Sequence, residues 1–199
     1  MINLYNEDCL EAMKRMEDDS YDLAIVDPPY RDDNEPTIQM RKAKFKSTLY
    51  GRPPKEYFEQ LFRVSKNQVI WGCNNFNLPT HKGFIVWKKT SIPLNFTMSM
   101  CEIAFISKDL GTISKCVELH PNISNKIHPT QKPVALYTWI LSNYAKENDR
   151  ILDTHLGSGS IAIACHNLGF HLDGYELDVE YYNAACKRLE EHQRQLKLF

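Results

Sequence analysis

Apolar residues along the chain fall into short runs, set between longer stretches in which apolar and polar positions mix with helical spacing. The two kinds alternate, which is the βαβ pattern of a sheet covered by helices. Ile2 to Tyr5 predicts a short strand and Cys9 to Met16 a helix. Tyr21 to Val26 predicts a buried strand that runs into Asp27-Pro28-Pro29-Tyr30, where two consecutive prolines end it. Residues 31–52 read as a long polar loop, a length usually reserved for function or motion. A helix follows from Pro54 to Val64, with Pro53 and Pro54 suited to its start. Strands are expected at Gln68–Gly72, Phe84–Trp87 and Glu102–Ser107, and residues 109–128 read as loop. The second half continues as a helix from Pro133 to Ala145 and a strand at Arg150–Asp153. A helix from Gly157 to Leu168, stopped by Gly169, precedes a strand at Phe170–Tyr175 and a closing helix from Val179 to Leu196. About seven strands and five helices predict one doubly wound, mostly parallel α/β sheet.

The 199 residues suit a single domain, 1–199, long enough to bury a core. No apolar run approaches membrane-spanning length, and the first residues lack the layout of a signal peptide, so a cytoplasmic protein without a membrane partner is expected. The six cysteines are scattered singly with no C-x-x-C pair, which argues against a disulfide framework and against structural zinc; no metal is expected. The net charge of -1 does not advertise a nucleic-acid partner, but its distribution does more. Arg41, Lys42, Lys44, Lys46, Arg52 and Lys55 fall in one stretch without an acidic residue, interleaved with Phe45 and Tyr50. Cations with aromatics suit a phosphate backbone and unstacked bases, although a solvated basic loop is the readier explanation of this stretch taken alone.

Between a predicted strand and a predicted helix lies Ile151-Leu152-Asp153-Thr154-His155-Leu156-Gly157-Ser158-Gly159-Ser160. Glycines there let backbone approach a ligand, and the following helix offers free N–H groups. Gly157, Gly159 and Ala162 satisfy a loose G-x-G-x-x-A pattern, and Glu176 closes the next strand where an acid would grip ribose hydroxyls. Three readings stand: a dinucleotide dehydrogenase, a nucleoside-cofactor methyltransferase, or a tight turn with no ligand. Position in the chain separates the first two. A dinucleotide fold starts with this turn, whereas here only about forty residues follow it. An oxidoreductase would have to be permuted and would leave Asp27–Tyr30 unexplained.

Asp27-Pro28-Pro29-Tyr30 lies at the carboxyl end of a buried strand, where open α/β sheets place their ligands. An exocyclic amino nitrogen is a poor nucleophile because its lone pair is conjugated into the ring. A carboxylate and a backbone carbonyl accepting its two N–H hydrogens would favour a pyramidal nitrogen with an available lone pair. Asp27 supplies the carboxylate, Pro28 a carbonyl held rigid by Pro29, and Tyr30 a flat face for a flipped base. The plainer alternative is a proline turn with an incidental acid and a core tyrosine.

With these residues in view, the sequence resembles the DNA amino-methyltransferase family that modifies adenine N6 or cytosine N4, in its beta-class order with the catalytic motif ahead of the cofactor turn. Asn6-Glu7-Asp8-Cys9 resembles the segment whose Asp-Cys reaches the cofactor adenine, and Asp27–Tyr30 matches the catalytic motif. Gly83–Lys89 and Cys101–Phe105 are similar to the family's next two strands. His128-Pro129-Thr130-Gln131-Lys132-Pro133 is similar to the motif that opens the helix beside the methionine end of the cofactor. The resemblance implies a Rossmann-like seven-stranded methyltransferase sheet, permuted so that a catalytic half (about 1–108) and a short loop insertion (about 109–127) precede a cofactor-binding half (about 128–199). It implies S-adenosylmethionine held by Asp8, Cys9, Asp27, Lys132, Pro133, Asp153, His155, Gly157, Ser158, Gly159, Ser160 and Glu176. DNA is the implied partner, met by the basic stretch, in a bacterial or phage-infected cell with a restriction-modification context; the family pattern leaves room for a homodimer.

The chain departs from the family at several points. Glu7 stands where Gly is usual, Thr154-His155 where Pro-Phe is usual, and Ser160 where Thr is usual. His155 then serves as a replacement flat ring or as a pH-sensitive contact. Only about twenty residues separate Ser107 from His128, where specific enzymes often carry a long insertion. The expected reaction is methyl transfer to adenine N6 after base flipping, with cytosine N4 the alternative base. A non-catalytic cofactor- or DNA-binding module is the alternative of another class.

Overall fold

The computed structural model describes residues 1–30, 51–90, 92, 95, 99–121 and 126–195. Its centre is one eight-stranded sheet. The strands are β1 (Ile2–Tyr5), β2 (Tyr21–Val26), β3 (Ser65–Trp71), β4 (Phe84–Lys89), β5 (Cys101–Ile106), β6 (Lys115–Leu119), β7 (Arg150–Asp153) and β8 (His171–Tyr175). They lie in the order β1-β8-β7-β2-β3-β5-β4-β6. Only β5 runs against its neighbours; every other pairing is parallel. The helices among the described residues are α1 (Cys9–Lys14), α2 (Lys55–Val64), α3 (Val134–Tyr144), α4 (Ser160–Leu168) and α5 (Val179–Arg194). None is long and apolar enough to cross a membrane.

Strand β2 shows why the sheet is covered on both sides. Leu23 and Ile25 face one way, into a core with Val69, Trp71 and Ile151 under α3, α4 and α5. Ala24 and Val26 face the other way, with Ile70 and Leu152 under α1 and α2. A period of two with both phases apolar means that neither face meets water. Helix α2 buries Tyr57, Leu61 and Val64, a stripe spaced at four and three residues. It leads straight into β3 at Ser65, whose hydroxyl donates 2.6 Å back to the Leu61 carbonyl.

Two expectations need correction. The stretch 109–128, read as loop, contains β6, so the sheet has eight strands rather than about seven. Strand β6 is an edge strand paired only with β4, and of its five residues Val117 alone is buried. One half-dry side chain leaves too little apolar pattern to read. Helix α4 begins at Ser160, not Gly157, because Gly157 and Gly159 adopt φ of 53° and 68° and form a turn ahead of it.

Ile25 is fully buried in the central strand, so Ile25→Ala should cost about 2–5 kcal/mol of stability. The urea midpoint should fall with the slope of the transition unchanged. An unaltered midpoint would mean that β2 is not the centre of the core.

Candidate active site

Strands β2 and β7 lie side by side in parallel, with Ala24 opposite Leu152. From β7 the chain proceeds to β8 on one side, and from β2 to β3 on the other. Helices leaving two adjacent strands in opposite directions open a crevice beyond their carboxyl ends. Asp27 follows β2, Asp153 ends β7 and Glu176 follows β8, so the Asp27–Tyr30 segment and the glycine turn meet at that crevice.

Asp27 is engaged on both oxygens. The Tyr30 hydroxyl donates to Oδ1 and the Lys132 ammonium to Oδ2. Lys132 is only 4% exposed, and it also lies 3.2 Å from Glu102 Oε2 and 5.4 Å from the centre of the Trp71 ring. Glu102 Oε1 is 2.5 Å from Lys89 Nζ. Burial opposes the charge on Lys132, yet Asp27 and Glu102 outweigh it and hold the ammonium above its ordinary value. Burial likewise opposes ionised Glu102, and Lys132 and Lys89 overcome that to bring its carboxyl below the usual range. Lys132 is buried away from solvent, and its nearest anions are protein carboxylates.

Tyr30 is seated by a glycine. Gly72 has φ of 66°, and a Cβ there would fall 2.2 Å from Tyr30 Cε1. The ring also meets Phe76 edge-on at 6.1 Å. Burial, with Asp27 beside it, raises the phenol well above its ordinary value and keeps it a donor. Arg52, assigned to the basic stretch, donates 3.1 Å to the Tyr30 carbonyl and 2.7 Å to the Asn75 carbonyl. It therefore ties the Tyr30 backbone to Asn75. Arg41, Lys42, Lys44 and Lys46 lie outside the described residues.

On the other side of the crevice, Asp153 is buried, and its carboxylate accepts 3.0 Å from the His155 N–H. Burial, reinforced by Asp27 and Glu176, pushes this acid up to about 8. Thr154 Oγ1 lies 2.6 Å from the Tyr57 hydroxyl and 2.9 Å from His155 Nδ1. His155 packs edge-on to Tyr57 at 5.3 Å, and burial lowers it to about 4, so it is a neutral flat ring near pH 7. The Gly157 N–H donates 2.8 Å to Glu176 Oε2, and the Asp178 N–H 3.0 Å to Oε1. His128 closes over the turn: a Cβ at Gly157 would touch its ring at 3.4 Å, and the ring packs on Tyr181 at 4.4 Å. Burial brings His128 down to about 4. Arg188 of α5 donates 2.8 Å to the Ser158 carbonyl and 2.9 Å to Ser160 Oγ, tying the turn to the last helix. Ser158 and Ser160 are themselves 3.2 Å apart through their hydroxyls.

Asp8 caps α1 by accepting from Leu10 N at 2.8 Å and Glu11 N at 3.1 Å, and burial pushes the thiol of Cys9 up to about 12. Pro133 is the N-cap of α3. Sequence reasoning missed Gly72, Glu102, Lys89 and Arg188 as members of the site. A signal existed for Glu102, a lone acid in an otherwise apolar strand. None existed for Arg188, one of many charged residues on α5.

The sequence model of the DNA methylase family matches residues 85–187. Among characterised proteins, the type II methyltransferase M.HpaI of Haemophilus parainfluenzae is 25% identical, over 91% of this chain and 72% of its own. The type II methyltransferase M.HinfI of Haemophilus influenzae is 24% identical, over 92% and 67%. The crystal structure of the M1.HpyAVI–SAM complex shares the fold, with a TM-score of 0.61 and 23% identity over 95% of this chain and 99% of that one. The cytosine-N4-specific PvuII DNA methyltransferase does so with a TM-score of 0.65 and 14% identity, over 100% and 88%.

Gly72→Ala should displace Tyr30, costing about 1–3 kcal/mol and changing the near-UV circular dichroism of the tyrosines. An unchanged spectrum and midpoint would show that the ring has room to spare. Asp153 binds its proton more tightly folded than unfolded, so its contribution to stability is present below 3.8 and is lost as pH rises to about 8. Asp153→Asn should therefore gain stability relative to wild type across that window and stay level below it, as read by urea unfolding at stepped pH. A pH-independent difference would refute the buried acid.

Proposed function

The chain belongs to the N6/N4 DNA methylase family, and from that premise we propose that it transfers a methyl group from S-adenosylmethionine to N6 of adenine in DNA. The observation that carries the reading is the meeting of Asp27–Tyr30 with the Asp153–Ser160 turn at the carboxyl ends of β2 and β7. One side of the crevice offers acceptors for an amino group. The other offers a glycine turn with Glu176 across it, and this donor set fits a nucleoside cofactor. S-adenosylmethionine, when bound, supplies a methyl group on a cationic sulfur.

The chain's own residues do the rest. Glu176 and the turn from Asp153 to Ser160 hold the nucleoside and methionine parts, with His128 and Pro133 closing the segment beside them. A base turned out of the duplex stacks on Tyr30, whose ring Gly72 and Phe76 hold in place. Asp27 accepts one amino N–H and the Pro28 carbonyl accepts the other. Tyr30 and Lys132 hold the two Asp27 oxygens in orientation ahead of the base. The nitrogen lone pair then points along the line of attack, and fixed alignment supplies much of the rate. Arg41, Lys42, Lys44 and Lys46 meet the DNA backbone in this reading, without reading bases. Asp at the first motif position favours adenine over cytosine by family resemblance.

The test is transfer of labelled methyl from S-adenosylmethionine to unmethylated DNA, followed by nucleoside mass spectrometry. The expected product is N6-methyladenine, reduced roughly 10²–10³-fold in Asp27→Ala. N4-methylcytosine would keep the mechanism and overturn the base. No transfer by folded, cofactor-binding protein would overturn the reading.

A further inference from the structure

We propose that Glu102 is a positioning residue for the catalytic carboxylate, acting as a standby acceptor that draws Lys132 off Asp27 when the substrate amino group arrives. The inference rests on the methyl-transfer reading and deepens it.

Topology brings Glu102 to the site. Because β5 alone runs antiparallel, its first residues lie level with the carboxyl ends of the parallel strands; Ala104 pairs with Trp71, the last residue of β3. Glu102 is thereby set beside the crevice, and Lys89, ending β4, lies next to it. The result is a line of alternating charge, Lys89–Glu102–Lys132–Asp27, running inward from β4 to β2.

The line is unevenly bonded. Lys132 donates to Asp27 Oδ2, but Glu102 Oε2, though 3.2 Å from the same nitrogen, is buried and off the line of a hydrogen bond. That oxygen therefore keeps an open acceptor position while the fields of Lys132 and Lys89 hold it ionised. Lys132 has three N–H groups and so can turn from one carboxylate to the other without leaving either field. With the crevice empty of a base, the ammonium is the partner of Asp27 Oδ2. When an amino N–H takes up Asp27 Oδ2, Glu102 receives the ammonium, and a full charge is never left without a partner. Lys132 and Lys89 together hold Glu102 ionised for that exchange. The face of Trp71 borders the ammonium and favours its charge in both positions.

Glu102→Gln removes the second anion and keeps the shape, so Lys132 should stay locked on Asp27. The single-turnover methyl-transfer rate on DNA should fall about tenfold, with the dissociation constants for S-adenosylmethionine and DNA within about twofold of wild type. Glu102→Asp, which keeps the charge, should recover most of the rate. In a Lys132→Met background, Glu102→Gln should change the rate by less than about twofold, since the residue acts through Lys132. An unchanged rate in Glu102→Gln, an equal tenfold loss in both backgrounds, or a loss matched by weaker cofactor binding would overturn the proposal. Absence of transfer by the wild-type protein would instead bring down the underlying reading, and it is seen before any variant is made.

Discussion

A cation buried among side chains is tolerable only where anions meet it, and Lys132 meets two of them at the point where three parts of the chain converge. Asp27 comes from the end of β2, Glu102 from the start of β5, and Lys132 from the segment that enters α3. Breaking a buried pair by removing one partner costs about 3–5 kcal/mol, because the survivor stays charged and unsolvated. The same pairing therefore fixes the sheet's carboxyl edge and sets the electrostatics of the crevice. Tyr30 belongs to the arrangement as well, since its hydroxyl takes the other Asp27 oxygen while its ring presses on Gly72.

Across the crevice the constraint is of another kind. The glycine turn leads into α4 with backbone N–H groups that the helix itself cannot bond. Glu176 takes one, at Gly157. Arg188 reaches from α5 to a turn carbonyl, so the last helix braces the turn it follows by some thirty residues. Neutral rings fill the space around it: His155 against Tyr57 and His128 against Tyr181. Burial keeps both imidazoles uncharged near neutral pH, so neither adds positive charge to the crevice.

The two halves thus divide the work. Asp27 and its neighbours follow β2, the glycine turn follows β7, and the segment before α3 reaches both through Lys132 and His128. Solved DNA methyltransferases share the fold at low identity, as expected when strand order is kept and most positions need only pack.

Much of this was readable in the amino acids. Periodicity marked β2 as buried on both faces, Pro28 and Pro29 marked where it ends, and Gly157 and Gly159 marked a turn between strand and helix. Each is a local property, dictated by φ restriction or by apolar spacing within a few residues. Strand β6 escaped because an edge strand with one buried side chain has almost no pattern. Tertiary structure alone decided that Gly72 admits the Tyr30 ring, that Arg52 ties down the Tyr30 backbone, and that Arg188 holds the turn. It also decided that Lys132 faces two carboxylates contributed from far along the chain. Such contacts depend on which strands become neighbours and in which direction they run, and that outcome is settled by packing the whole sheet rather than by any short stretch of residues.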